Sequence, residues 1–268
     1  MGEARRRRGR EIGRCVYCGA TDSLSDEHVV PYGLGGTLVL RKASCPRCAL
    51  VTSKLEYDLL RGHWRAQRQF FGLPSRRSKE VVPDLDVVVV RANGDRVNAS
   101  LPLKAQSIGM YFELSPPTIL AGRVVDTEPA AGAAFIKTFG EPPREAIVNG
   151  LTERLSPEDK IEIPIDFTAD HLCRFLAKLA HCYAISQRGL DACREFFLPA
   201  FILGKTAGIV TYVGGSSSTI VGNTLPGSAL HALIDRVNGE FLTVYVQLFR
   251  TPGDPPPIYE IVVGRIVD

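Results

Sequence analysis

Along the first quarter of the chain the apolar positions change period once. Leu24 to Pro31 reads as a strand closed by proline, Gly33 and Gly35-Gly36 supply turn conformations, and Thr37 to Leu40 returns as a second strand. From Val51 the spacing becomes helical: Val51, Leu55 and Leu59 lie four apart. The helix is expected to pass Gly62 and Trp64 and to reach Phe71 before Gly72-Leu73-Pro74 stops it. Further on, Val81–Arg91 and Arg96–Leu103 flank Asn93-Gly94, a hairpin signal, and Ile119–Val125 reads as another strand. The clearest helix is predicted from Thr168 to about Gln187, stopped by Gly189 and carrying a buried stripe of Leu172, Phe175, Leu176, Leu179 and Tyr183. His171, Arg174, Lys178 and His181 share another face that contains no acid; it is read as a solvated surface in preference to a nucleic-acid contact. A second helix is expected over Leu190–Ala200, a flexible loop over Gly214–Ser218, a hairpin of Ala229–Val237 and Phe241–Arg250 about Asn238-Gly239, and a last strand over Ile258–Val267.

Charge changes this picture because it is uneven. Residues 1–79 hold 16 Lys and Arg against 7 Asp and Glu, a balance of +9, while residues 80–268 hold 16 against 22, a balance of −6. Arg5–Arg8 and Arg10 form a basic arm, predicted to be disordered over residues 1–13; without residues 1–10 the stretch 11–79 still stands at +5. A cationic front on an anionic body points to a polyanionic partner. No apolar run approaches the ~18 residues that cross a bilayer, and the basic N-terminus lacks the apolar core of a secretion signal. The expectation is a cytoplasmic protein with no membrane partner, in a compartment where disulfides are rare.

The seven cysteines sharpen the front segment. Cys15-x-x-Cys18 and Cys45-x-x-Cys48 are two knuckles separated by 26 residues, and four thiolates in two such pairs suit a tetrahedral Zn²⁺. A redox pair needs only one such motif, so the duplication favours structural zinc over redox chemistry or unmetallated thiols. Cys173, Cys182 and Cys193 read as small core residues. The expected fold class is therefore α+β: a small zinc-stabilised ββα domain over 14–75, then a larger α+β domain with antiparallel strands over 80–268, whose role and oligomeric state stay open.

The front segment resembles the HNH endonuclease family on its two cysteine pairs, on Glu27-His28 with Pro31 following, and on Gly35-Gly36, over roughly residues 12–75. The resemblance implies a ββα-metal nuclease unit, active on DNA in restriction, phage-defence or mobile-element settings. It implies that Glu27 binds a catalytic divalent metal and that His28 is the general base. The family's middle asparagine falls near Leu40 or Arg41, and its last ligand falls on Ala49, which cannot bind a metal. Ser53 and Glu56 follow Ala49 at four and seven residues on one helical face, and Glu56, a carboxylate, is the better Mg²⁺ or Mn²⁺ ligand. Arg41, Lys42 and Arg47 are candidates to hold substrate phosphate, and Thr52 and Ser53 to cap the helix or hold phosphate. The competing expectation is a non-catalytic zinc module that binds nucleic acid or a protein partner.

Overall fold

The computed structural model describes residues 11–75, 84–101, 108–127, 134–138, 151, 154–162, 168–217, 230–250 and 256–267. The fold is α+β with antiparallel sheets. Strands β1 (Ser25–His28) and β2 (Val39–Ser44) form a hairpin in which Glu27 faces Leu40 and His28 faces Val39. Helix α1 (Pro46–Asp58) starts at Cys45 with proline in its first turn, where the missing N–H costs nothing. A π-helical segment, Leu59–His63, then carries the chain into α2 (Arg65–Phe70). Sequence and structure agree on strand, turn, strand and a helical arm, while the π-helical break at Leu59–His63 is a feature the apolar spacing did not foresee. The basic arm is only partly described: residues 1–10 lie outside the described residues, while Glu11 bridges Arg41 and the amides of Ile12 and Gly13 bond to the carbonyls of Arg41 and Lys42.

The connection between the strands is held from both sides. The Arg68 guanidinium donates to the carbonyls of Gly33 (2.7 Å), Leu60 (2.9 Å) and Pro74 (2.9 Å), fixing the loop to the end of the helical arm. Gly35 sits in the left-handed region at φ 79°, whereas Gly36 is required by crowding, since a Cβ there would lie 1.9 Å from the Val30 carbonyl oxygen. Replacing Gly36 by alanine is expected to cost about 1–3 kcal/mol, as overpacking does. Gly62, which has open space around it, should accept alanine without loss. Thermal unfolding of the two variants checks the contrast, and a Gly36→Ala protein as stable as the parent would contradict it.

The remainder builds outward from one helix. Strands β3 (Leu85–Val90) and β4 (Arg96–Leu101) pair as a hairpin about Asn93-Gly94. β5 (Ile108–Phe112) pairs β6 (Ala134–Thr138), and β7 (Lys160–Glu162) extends the first pair. Helix α3 (Ala169–Arg188) has the predicted ends: the Thr168 hydroxyl accepts from the His171 amide, and Gly189 at φ 87° stops it. β8 (Cys193–Phe196), the short α4 (Pro199–Ile202), β9 (Val213–Ser216), β10 (Ala232–Asn238), β11 (Phe241–Gln247) and β12 (Ile258–Ile266) follow. Four of these strands run in the order β10-β11-β12-β8, with β9 also on β12, and α3 packs across this sheet.

Three expectations are corrected here. Leu190–Ala200 is not one helix; it holds a 3-10 turn, β8 and the start of α4, because Cys193–Phe196 pairs the edge of β12. Ile119–Val125 is not a strand, since Thr118–Ala121 is a 3-10 turn ended by Gly122 in the left-handed region. Gly214 and Gly215 lie within β9 and not in a loop. They let its backbone pass so close to Leu114 and Ser115 that a Cβ at either glycine would come within 2.2 Å of a carbonyl oxygen.

One cluster of buried side chains joins the front segment to this body. Cys15, Val29, Leu40, Leu55 and Trp64 belong to it together with Phe175, Leu179, Val246 and Ile261. Trp64 packs edge-on against Phe175 (5.1 Å between ring centroids) and Phe249 (5.4 Å). No helix among the described residues is long and apolar enough to cross a membrane.

Candidate functional site

Two features of the front segment can do chemistry, and different elements position them. The first is the cysteine cluster. Cys15 and Cys18 lie on a tight turn in which the Gly19 amide bonds the Cys15 carbonyl; Cys45 follows β2 as the N-cap of α1, and Cys48 lies in its first turn. Their four sulfurs all fall within 4.8 Å of one another, and Cys18 and Cys45 are 3.6 Å apart. Four sulfurs at about 2.3 Å from a tetrahedral Zn²⁺ stand roughly 3.8 Å apart, so the cluster has the right size for that ion and is too open for disulfides. Backbone amides of Cys45, Tyr17 and Cys18 point at the Cys15 sulfur. Burial pushes the Cys15 and Cys48 thiols up, while Cys45 is drawn down to about 7, first by the Cys48 amide. Three of the four cysteines are buried.

The second feature lies beneath the hairpin. Glu27 on β1 and Glu56 on α1, which the sequence offered as metal ligands, both lie against the Lys178 ammonium of α3. The Lys178 Nζ is 2.9 Å from Glu27 Oε1 and 2.7 Å from Glu56 Oε1, and it also donates to the His28 carbonyl oxygen. An ammonium has three donors, and these three acceptors use them all. Lys178 is wholly buried and Glu27 only 6 % exposed. Burial pulls the Lys178 ammonium toward neutrality, but Glu27 and then Glu56 overcome it and hold its pKa above the ordinary lysine value. Two carboxylates and one ammonium leave the cluster with one net negative charge.

Neighbours on α3 anchor the same contact. The His181 Nε2 donates to the Val16 carbonyl (2.8 Å), and Tyr17 Oη lies 3.2 Å from Cys182 Sγ. The face of α3 expected to be solvated is partly covered: Lys178 and His181 are fully buried against the cysteine unit, while Arg174, half-buried, bonds the carbonyls of Phe201 and Ile202 in the body. Lys178 escaped the sequence reading because its partners lie far away. One signal was available: in Phe175–Cys182 six of eight residues are apolar, the mark of a helix covered on nearly every side.

The other candidates are placed as follows. His28 is half-buried beside Glu27, on the strand position opposite Val39. Ala49 lies in α1 with its amide on the Cys45 carbonyl, and Thr52, buried, turns its hydroxyl back to Ala49 (3.4 Å), while Ser53 is exposed. Arg41 and Lys42 both meet Glu11, at 3.9 and 2.8 Å, and the Lys42 contact lowers the Glu11 pKa. Lys42 adopts φ 46°, with its amide on Asp26 Oδ1 (3.1 Å). Arg47 is exposed on the first turn of α1. Among the described residues the four cysteines are the one grouping of His, Cys, Asp and Glu close enough to hold a metal ion in this way.

Comparison of the chain with protein-family models, with curated proteins and with solved structures finds no match.

Proposed function

We propose that the cysteine cluster holds one structural Zn²⁺ and that the unit it fastens is a metal-dependent endonuclease acting on DNA, the activity implied by the resemblance to the HNH family. The observation that carries this reading is the convergence of Glu27 and Glu56, from a strand and a helix, on one cation position next to His28. The donor types fit a hard divalent ion, and Glu27 and Glu56 would hold Mg²⁺ or Mn²⁺ once Lys178 no longer occupies the point between them. Such an ion would supply charge stabilisation for the transferring phosphoryl group. The chain's own part is otherwise simple. His28 accepts the proton of the attacking water, a role suited to an imidazole. Arg47 and, when released from Glu11, Arg41 and Lys42 face the phosphates of the duplex.

A second reading has a specific observation in its favour. Lys178 already satisfies both carboxylates, so the same triad serves equally as a buried tie between α3 and a zinc module that binds nucleic acid or a protein partner without cutting it. Incubating zinc-loaded protein with supercoiled plasmid and Mg²⁺ or Mn²⁺ separates the two. The nuclease reading expects nicking that falls by about 10²–10⁴-fold in His28→Ala, the usual weight of a general base. Undiminished cleavage by the variant would remove His28 from its role, and an uncut plasmid with either metal would favour the binding module.

A further inference from the structure

We infer that Lys178 is the resident cation of the Glu27–Glu56 centre, and that a divalent metal enters between those carboxylates only after the lysine has left. The inference rests on the nuclease reading for its meaning, but on geometry alone for its content. One Oε1 from each glutamate lies within 2.9 Å of Nζ, and the third donor is spent on the His28 carbonyl, so the ammonium sits in the place a shared metal would take. Mg²⁺ requires oxygens at about 2.0–2.1 Å in a near-octahedral set, which these atoms cannot give while they serve the lysine. Charge points the same way: with Lys178 in place the cluster carries −1, and with it withdrawn −2, the value a divalent ion neutralises.

The lysine is delivered by a well-fixed element. One turn further along α3, His181 holds the Val16 carbonyl and Cys182 meets Tyr17; one turn back, Phe175 abuts Trp64. Residues 178 and 181 thus grip two parts of the cysteine unit at once, so opening the centre requires the Lys178 side chain to leave or α3 to shift against the hairpin. The body, for which the sequence suggested no chemistry, thereby controls access of metal to the front segment.

The test is Mn²⁺ binding to full-length, zinc-loaded protein, read from the electron paramagnetic resonance of free Mn²⁺. The unaltered chain should bind Mn²⁺ weakly, and Lys178→Met should bind one Mn²⁺ per chain at least about a hundredfold more tightly, because a unit positive charge is removed from contact distance. Melting of Lys178→Met should rise with added Mn²⁺, and the added substitution Glu27→Gln should abolish both effects. Tight, Glu27-dependent binding by the unaltered chain would overturn the inference, as would a folded Lys178→Met protein with no gain in affinity. Should Lys178→Met fold only when Mn²⁺ is present, the ion is replacing the lysine and the inference stands. Failure of the nuclease reading reads out separately, as an uncut plasmid while Lys178→Met still gains Mn²⁺.

Discussion

Removing the Zn²⁺ proposed for the cysteine cluster is expected to unfold residues 11–75 and to loosen the whole protein. The hairpin is short, with β1 spanning 4 residues and β2 spanning 6, and such a pair is marginal without a further fastening. Its fastening is the four-sulfur cluster, which joins the first turn to the end of β2 and the start of α1. Structural Zn²⁺ contributes on the order of 10 kcal/mol to small modules of this kind, comparable to the whole stability of an ordinary domain. The loss spreads because the cluster's surroundings and α3 belong to one core. The chain has a single tryptophan, Trp64, which is 3 % exposed and packed on Phe175 and Phe249, so its fluorescence reports that core directly. Purified protein should contain one Zn²⁺ per chain, and a strong chelator should shift Trp64 emission to the red, with Cys45→Ser behaving like the chelated parent. Emission and melting that ignore the chelator, or zinc well below one per chain, would count against the site.

Acidification from pH 6.5 to 4 should destabilise the protein through two buried histidines. His181 donates to the Val16 carbonyl, and its Nδ1 has no hydrogen-bond partner among the described residues; around it stand Tyr17 and Phe196. His231 donates from Nε2 to the Leu34 carbonyl (3.1 Å) and accepts the Phe249 amide at Nδ1 (3.2 Å), which leaves no lone pair for a second proton. Burial lowers both pKa values from 6.5 to about 4. The folded state thus keeps the neutral form while the unfolded chain binds protons from pH 6.5 downward. The stabilisation is fully present above pH 6.5 and is lost as the pH falls toward 4, at about 3 kcal/mol for each histidine. Urea unfolding across that range should show the decline, and replacing His181 by Leu together with His231 by Gln should flatten it. Zinc release and protonation of paired carboxylates also steepen with acid, so a decline that persists in the double variant would assign the effect to groups other than these histidines.

Both histidines hold the cysteine unit to the rest of the chain, His181 through Val16 and His231 through Leu34, and they illustrate where sequence patterns stop. The 26-residue gap between the cysteine pairs, the glycine turn, the α3 boundaries at Thr168 and Gly189, and the hairpins about Asn93-Gly94 and Asn238-Gly239 were all legible. Each depends on residues close together in the chain: capping, turn chemistry and ligand spacing act over a few positions. Where a distant neighbour decided the matter, local pattern misled. Cys193–Phe196 became a strand because β12 offered it an edge, and Gly214-Gly215 joined the sheet because β12 pairs them through Glu260 and Tyr259.

Glu27, Glu56 and His28 were marked as one centre by the resemblance to the HNH family, and in the structure both carboxylates lie against one ammonium. That ammonium came from 150 positions beyond His28. A lysine in an amphipathic helix is ordinarily solvated, and only the pairing of α3 with the hairpin turns Lys178 inward, where leaving it unpaired would cost more than the fold can bear. The sequence by itself determined the cysteine frame, because its spacing carries the information, and the resemblance to the HNH family pointed to Glu27, His28 and Glu56. Only the tertiary structure decided that those acids already hold a cation, because a buried charge takes whichever opposite charge the packing brings, and no local pattern records that choice.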